Sequence, residues 1–417
     1  MSDIITKRDA IELSKKHADI LPVVEIHVLQ SVCGALFNRD FNNRQKIISY
    51  GGRTRARFSS ASALHDIRFE AESDENIHTR MLPMMIKSAL YQQGGVDEKT
   101  LKIECDITDS LFSKEKKEKK STEDAEKKAA KCSTQKMTSQ VIDVDQYTLH
   151  KYIEAIKTAA NNTKDDSKAS LAKAKKKVDE IMNTSSTDRP ISEVTALYGR
   201  MATDQTYSTV YSPLLVSHAF SIDEYANDYD DFTAVDDYLL KTGIVLTDDG
   251  VSKNTGSAHM NTSDISANTY YRYAGISQVI LFENLCIGKS IEQVPEIIQK
   301  TYDCTAHFAK KFITTLPSAK QTRNFAHTMP DAVYIDKGCR IQGITAADRF
   351  EKAVTPVANK SICDIGVEHL QKFAYDSVYG AFAYQELSGQ YWLSDKYDAP
   401  EGLKSASLRD MAEIVRP

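Results

Sequence analysis

An α+β core with insertions is the fold class this sequence predicts, and three observations carry that reading. A few short stretches are rich in β-branched and aromatic residues or alternate apolar with polar, as strands do. Longer stretches between them repeat apolar residues at helical spacing, in an order that is not strictly strand–helix–strand. Two lysine-rich segments break the pattern in the first half. At 417 residues the chain has room for two or three domains, and it can bury enough apolar surface to need no disulfide or metal staple.

The elements follow in order. Residues 3–20 form a short polar helix before Pro22, with too much charge for a signal peptide. VVEIHVLQSV (23–32) alternates, with Val24, Ile26 and Val28 on one face of a half-buried strand and His27 as a core histidine. Residues 33–57 are loop or short-strand material, and 60–69 open as a serine-capped helix. Segment 76–190 is a mostly helical insertion. Its amphipathic helix carries Leu149, Tyr152, Ile153 and Ile156 on one face, between lysine-rich loops at 113–136 and 164–180. Strands are expected at 214–222, 269–281 and 332–338. Ser290 and Gln293 form a capping box for a helix reaching 315, striped by Ile291, Val294, Ile298, Tyr302, Thr305, Phe308 and Phe312. Residues 345–353 and 363–386 read as helical.

Hydrophobic content of 41% and charged content of 27% exclude wholesale disorder, collagen-like and membrane classes. The seven cysteines are scattered with no C-x-x-C pair, the usage of a reducing cytoplasm, and no zinc or cofactor spacing emerges. The formal charge of −5 argues at first against a nucleic-acid partner. That average conceals strong local differences.

Between residues 38 and 68 stand Arg39, Arg44, Lys46, Arg53, Arg55, Arg57 and Arg68 against only Asp40 and Asp66, a local charge of +5. Guanidinium forks match phosphate oxygens bidentately. Gly51 and Gly52 permit positive φ and close approach of backbone amides to an anion, and Ser59, Ser60 and Ser62 add hydroxyls at a helix start. The set suits a polyphosphate backbone, and no GxxxxGK[ST] nucleotide loop is present. The competing reading makes Arg53, Arg55 and Arg57 the solvent side of an ordinary strand, paired to acidic residues.

NRD (38–40), QK (45–46), GGRTRAR (51–57) and SSAS (59–62), directly after the V-x-I-H-V strand, resemble the CasC family. So do LYGRM (197–201), SHAFSI (217–222), DDFTAVDD (230–237), SAHM (257–260), YYRYAGI (270–276), FENL (282–285), AKQTRNFAH (319–327) and RFEKAV (349–354), in order over nearly the whole chain. CasC proteins are the backbone subunits of the type I CRISPR complex Cascade. The resemblance implies a palm related to the RNA-recognition-motif or ferredoxin-like fold, with a helical fingers insertion and a thumb β-hairpin. It implies a filament of copies along a guide RNA (crRNA), each thumb turning out one nucleotide so that the segments between pair with a target DNA strand. Other Cascade subunits would be partners, and the location would be cytoplasmic.

Mapped on this chain, 1–21 is an N-terminal extension and 22–75 the first part of the palm. The fingers take 76–192, the palm resumes at 193–222, the thumb spans 223–262, and the palm closes with 263–417. Backbone-gripping positions carry over to Arg39, Lys46, Arg53, Ser59 and Arg68, with Gly51, Gly52, Arg55, Arg57 and Ser60 in the same loop. Two positions depart from the pattern: Ala61 stands for a glutamine and Leu64 for a lysine. The base-wedge positions are Met201, Phe232 and Met260. Apolar wedges tolerate any base, which a subunit accepting every guide requires. Residues 223–249 hold nine acidic residues against one lysine, which would meet solvent, basic surface on a neighbouring copy, or the fingers. The resemblance favours a subunit that does no chemistry. The alternative is an RNA-cleaving backbone subunit using Asp40 with a metal ion.

Overall fold

The computed structural model describes the chain except residues 1–3, 72–75, 94–97, 113–141, 164–166, 184–189, 201–208, 235–240, 242–258, 320, 339–342 and 382–386. Its elements run α1 (Lys7–Lys16), β1 (Val23–Ala35), β2 (Ile47–Tyr50), β3 (Arg53–Phe58), α2 (Ser60–Ala71), β4 (Asn76–Thr79), α3 (Leu82–Gln93), α4 (Glu98–Leu111), β5 (Ile142–Asp145), α5 (Gln146–Ala160), α6 (Lys168–Asn183) and α7 (Glu193–Tyr198). They continue as β6 (Leu214–Val216), β7 (Ala219–Ser221), β8 (Asp228–Ala234), β9 (His259–Ser277), α8 (Gln278–Cys286), α9 (Val294–Thr314), α10 (Gln321–Asn324), β10 (Ala332–Gly338), α11 (Ile362–Tyr379), β11 (Leu387–Leu393), β12 (Lys404–Ser405) and α12 (Met411–Ile414). The α+β class holds, with a mostly antiparallel central sheet.

The chain divides into two compact units. The first comprises 1–17, 70–213 and 279–301. Its helical core is built by Leu82, Ile86 and Leu90 of α3, Ile103 and Ile107 of α4, Tyr152, Ile153 and Ile156 of α5, and Ala174, Val178 and Met182 of α6. The last helix corrects the sequence reading. In and just beyond the lysine-rich 164–180 the apolar residues Leu171, Ala174, Val178, Ile181 and Met182 keep a helical spacing, so α6 buries one face. The other lysine-rich run, 113–136, lies outside the described residues.

The second unit comprises 18–69, 214–278 and 302–417 and holds the large sheet, in the order β12-β11-β10-β1-β9-β7-β3-β2. Strand β1 runs antiparallel to β10 on one side and β9 on the other. Residues 23–30 of β1 are all buried, where alternation had suggested one wet face. Both sides of the strand are covered, so Glu25, His27 and Gln30 are buried as thoroughly as Val24, Ile26 and Val28. One face packs against α11 through Leu29, Tyr271, Tyr334, Leu370 and Phe373. Strand β9 spans 19 residues; its later part pairs with β1 and its beginning with β8.

Other expectations shift at element ends. Residues 278–281, expected as strand, begin α8, and 345–353 contracts to a short 3-10 turn at Ala346–Phe350. The helix expected over 363–386 ends at Tyr379, with Gly380 next. The Ser290–Gln293 capping box forms, and α9 buries Val294, Tyr302, Thr305, Phe308 and Phe312, whereas Ile291 before it is exposed. Among the described residues no helix is long and apolar enough to cross a membrane.

A candidate nucleic-acid interface at the sheet edge

Strands β2 and β3 form a hairpin at the outer edge of the sheet, with Tyr50 paired to Arg53. The two residues between them, Gly51 and Gly52, have φ of 60° and 72°. A two-residue hairpin loop that matches the strand twist needs positive φ at both positions, which explains the paired glycines. At Gly51 the open side of the backbone faces protein: a Cβ there would lie 1.8 Å from the Glu351 carbonyl oxygen. The close approach allowed on this side of the glycine is therefore to a carbonyl. Gly52 meets nothing within 4 Å.

The three alternating arginines of β3 have three different fates. Arg53 is exposed, its guanidinium 3.3 Å from Glu224. Arg57 is half-buried. Arg55 is buried completely: Nη1 donates to the carbonyls of Ser221 and Ile222, and Nη2 to those of Phe350 and Glu351. Burial draws its pKa down, opposed by the Asp223 carboxylate. With four carbonyls engaged, Arg55 is an internal strut and is corrected out of the phosphate-binding set.

The helix start next to the hairpin is also partly committed. The Ser59 hydroxyl accepts the Ser62 N–H at 3.2 Å, and the Ser60 N–H donates to Nδ1 of His218 at 3.0 Å. The expected anion site at those amides is thus filled by the chain itself. His218 is held below the ordinary histidine pKa by burial and by the charges of Arg57 and Lys46. The Arg57 N–H donates to the Lys46 carbonyl at 2.9 Å, which places the two residues side by side. Along α2, Ala61, His65 and Arg68 follow at helical spacing on one face, with Arg68 half-buried.

The segment joining β1 to β2 folds on Asp40. Its carboxylate accepts the N–H groups of Asn42 at 2.8 Å and Arg44 at 2.9 Å, and Asn43 takes φ of 62°. Exposed Arg39 donates to Oδ1 of Asn43 at 3.3 Å. Residues Asn38, Arg39, Asp40, Ser59, His65 and Ser318 line a concave site of about 630 Å³ here. At the tip of the loop Phe41 is fully exposed at 108%. Sequence reasoning missed it, although an aromatic residue among Asp40, Asn42 and Asn43 has no core to join. A second exposed aromatic, Phe325, sits at φ of 37° in the loop after α10.

Of the wedge positions, Met201 lies outside the described residues. Phe232 and Met260 are on paired strands: Phe232 is opposite Asn261, and Met260 is opposite Thr233. Opposed positions share a face and successive ones alternate, so positions 232 and 260 fall on opposite faces of the β8–β9 ribbon.

No curated protein matches the chain. Among solved structures it is similar to a chain of "CRISPR RNA-guided surveillance complex, pre-nicking", at 22% identity and a TM-score of 0.68, covering 94% of this chain and 99% of that one. A chain of "CRISPR RNA-guided surveillance complex" is similar at 19% identity and a TM-score of 0.54, covering 94% and 98%. These likenesses show a shared fold over nearly full length. The profile of the CT1975-like protein family matches residues 24–416, and the chain belongs to that family.

Proposed function

We propose that this member of the CT1975-like family is a non-enzymatic crRNA-binding subunit of a CRISPR surveillance complex of the Cascade type. The observation that carries the proposal is the edge hairpin and its neighbouring loop. There Arg39, Lys46, Arg53 and Arg57 stand on one short stretch of chain, beside a concavity lined by Arg39 and Ser59. Arg53 is held only by an exposed ion pair, worth about 0–1 kcal/mol, which a phosphate can replace at little cost. Arg68 and Ser60 flank the same surface on α2, and Gly52 at the open hairpin tip lets a backbone pass closely. The similar solved chains come from RNA-guided surveillance complexes, which supports a guide RNA as the polyphosphate.

In this reading the sheet unit is the palm, the helices between 76 and 192 are the fingers, and the β8–β9 ribbon is the base of the thumb. Met201, Phe232 and Met260 press between bases, and positions 232 and 260 on opposite faces let one ribbon meet the nucleotides on either side. Copies of the chain stack along the guide, other subunits cap the filament, and the exposed bases pair with target DNA. Asp40 holds its loop by accepting two backbone N–H groups. That turn role accounts for an aspartate at this position without invoking cleavage.

Purification of the assembled complex tests the reading. Guide-length RNA should copurify, and log K should fall with log salt at a slope near about −3 per copy if each neutralises about four phosphates. A nucleic-acid-free preparation with no affinity for guide RNA would overturn it. Incubation with complementary RNA and magnesium tests the absence of chemistry. Periodic cuts that disappear in Asp40→Ala would replace this reading with an RNA-cleaving subunit.

A further inference from the structure

The centre of the sheet holds three titratable side chains that RNA binding does not use. Glu25 and His27 are two residues apart on β1, so they share a face, and Asp336 is the direct cross-strand partner of Glu25 on β10. All three are fully buried. One carboxylate oxygen from each acid and one ring nitrogen of His27 lie within 4.8 Å of one another. Two carboxylates directly opposed in a sheet and removed from water repel strongly when both are ionised.

The surrounding hydrogen bonds engage Nδ1 of His27 and one oxygen of Glu25. The Tyr271 hydroxyl oxygen accepts the Ala346 N–H at 2.8 Å and lies 2.8 Å from Nδ1 of His27 and 3.1 Å from the Thr345 hydroxyl. Two assignments satisfy all three contacts, and the one that suits a ligating histidine has Nδ1–H donating to the tyrosine oxygen and the tyrosine O–H donating to Thr345. Nε2 then carries a lone pair, and this buried nitrogen has no hydrogen-bond partner. Glu25 is oriented in turn, its Oε1 accepting the Tyr273 O–H and the Ile344 N–H, each at 2.6 Å. Gly343 lets the backbone close over that pair, since a Cβ there would lie 2.1 Å from the Tyr273 oxygen. The result is a set of electron-pair donors with outer hydrogen bonds fixing a ligating histidine and a ligating carboxylate, the arrangement protein metal centres use.

We infer that Glu25, His27 and Asp336 bind a divalent first-row transition metal, zinc foremost, as a structural centre joining β1 to β10. One nitrogen and two carboxylate oxygens match the ligand preferences of zinc and its neighbours. The ion neutralises both carboxylates and gives the Nε2 lone pair an acceptor. A proton shared by the carboxyls would relieve the repulsion but leave Nε2 unsatisfied.

Metal analysis of the full chain, produced without a histidine tag, tests this. After incubation with zinc chloride and desalting, wild type should retain about one equivalent per chain. Asp336→Asn and His27→Phe, which keep the shapes of the side chains, should retain at least about tenfold less. Cobalt(II) loading of wild type needs no variant to fold and should give the visible absorption of a low-coordinate nitrogen–oxygen site. Metal-free wild type, a silent cobalt spectrum, or equal zinc in wild type and both variants would each overturn the proposal.

Discussion

The edge hairpin β2–β3 and the central strand β1 treat charged residues in opposite ways. Arg53 on the hairpin keeps most of its surface in water, with one exposed acidic neighbour. Glu25 and His27 on β1 are out of water altogether, where every polar atom must find a partner within the protein. Arg55 joins the two cases: it belongs to the hairpin by sequence and to the interior by burial. Charge is therefore a poor guide to function in this sheet until the position of the strand is known. A guanidinium at the edge can exchange partners, and one engaged by four carbonyls cannot.

The largest effect that would sharpen this contrast is expected at Arg55. Arg55→Met leaves four carbonyls without their donor and should destabilise the chain by about 3 kcal/mol or more. Urea unfolding measures it, and a loss below about 1 kcal/mol would break the distinction. Phe41→Ala should leave stability within about 0.5 kcal/mol of wild type, because the side chain contacts no core. If Phe41 stacks on a base, the same change weakens guide binding by about 1–3 kcal/mol in an equilibrium titration. Arg53→Ala should also fold normally and lower the salt slope by roughly 0.7, alike for all guides. A sequence-selective loss would point to base reading instead.

The smallest effect concerns His218, which caps the Ser60 N–H. Its pKa is lowered in the folded chain from 6.5, so on acidification the unfolded chain takes up the proton first. The contribution of His218 is full above pH 6.5 and is lost as pH falls through its lowered folded pKa. His218→Ala should cost about 1 kcal/mol at neutral pH, and the gap to wild type should narrow in acid. A gap independent of pH, followed by chemical denaturation, would remove the capping role.

Much of the frame was legible in the residues. Alternation and β-branching marked β1 and β10, the Ser290–Gln293 box marked the approach to α9, and the basic stretch with its glycine pair marked the hairpin loop. Helix α6 is hard to read from sequence because its lysines are interleaved with the apolar positions that keep the helical period. Phe41 went unremarked because an aromatic residue reads as core until its surroundings are seen. The three arginines of β3 could not be separated at all, since their spacing and chemistry are identical.

Local pattern settles which backbone a segment adopts, because propensity, capping and turn geometry act over a few residues. The sequence thus determined the α+β class, the basic loop and the family resemblance. Burial is decided by what other parts of the chain bring alongside. Phe350 and Glu351 turn Arg55 inward from almost three hundred residues away, and β10 sets Asp336 against Glu25 from a similar distance. Only the tertiary structure could separate the charges that face a ligand from those that hold the protein together.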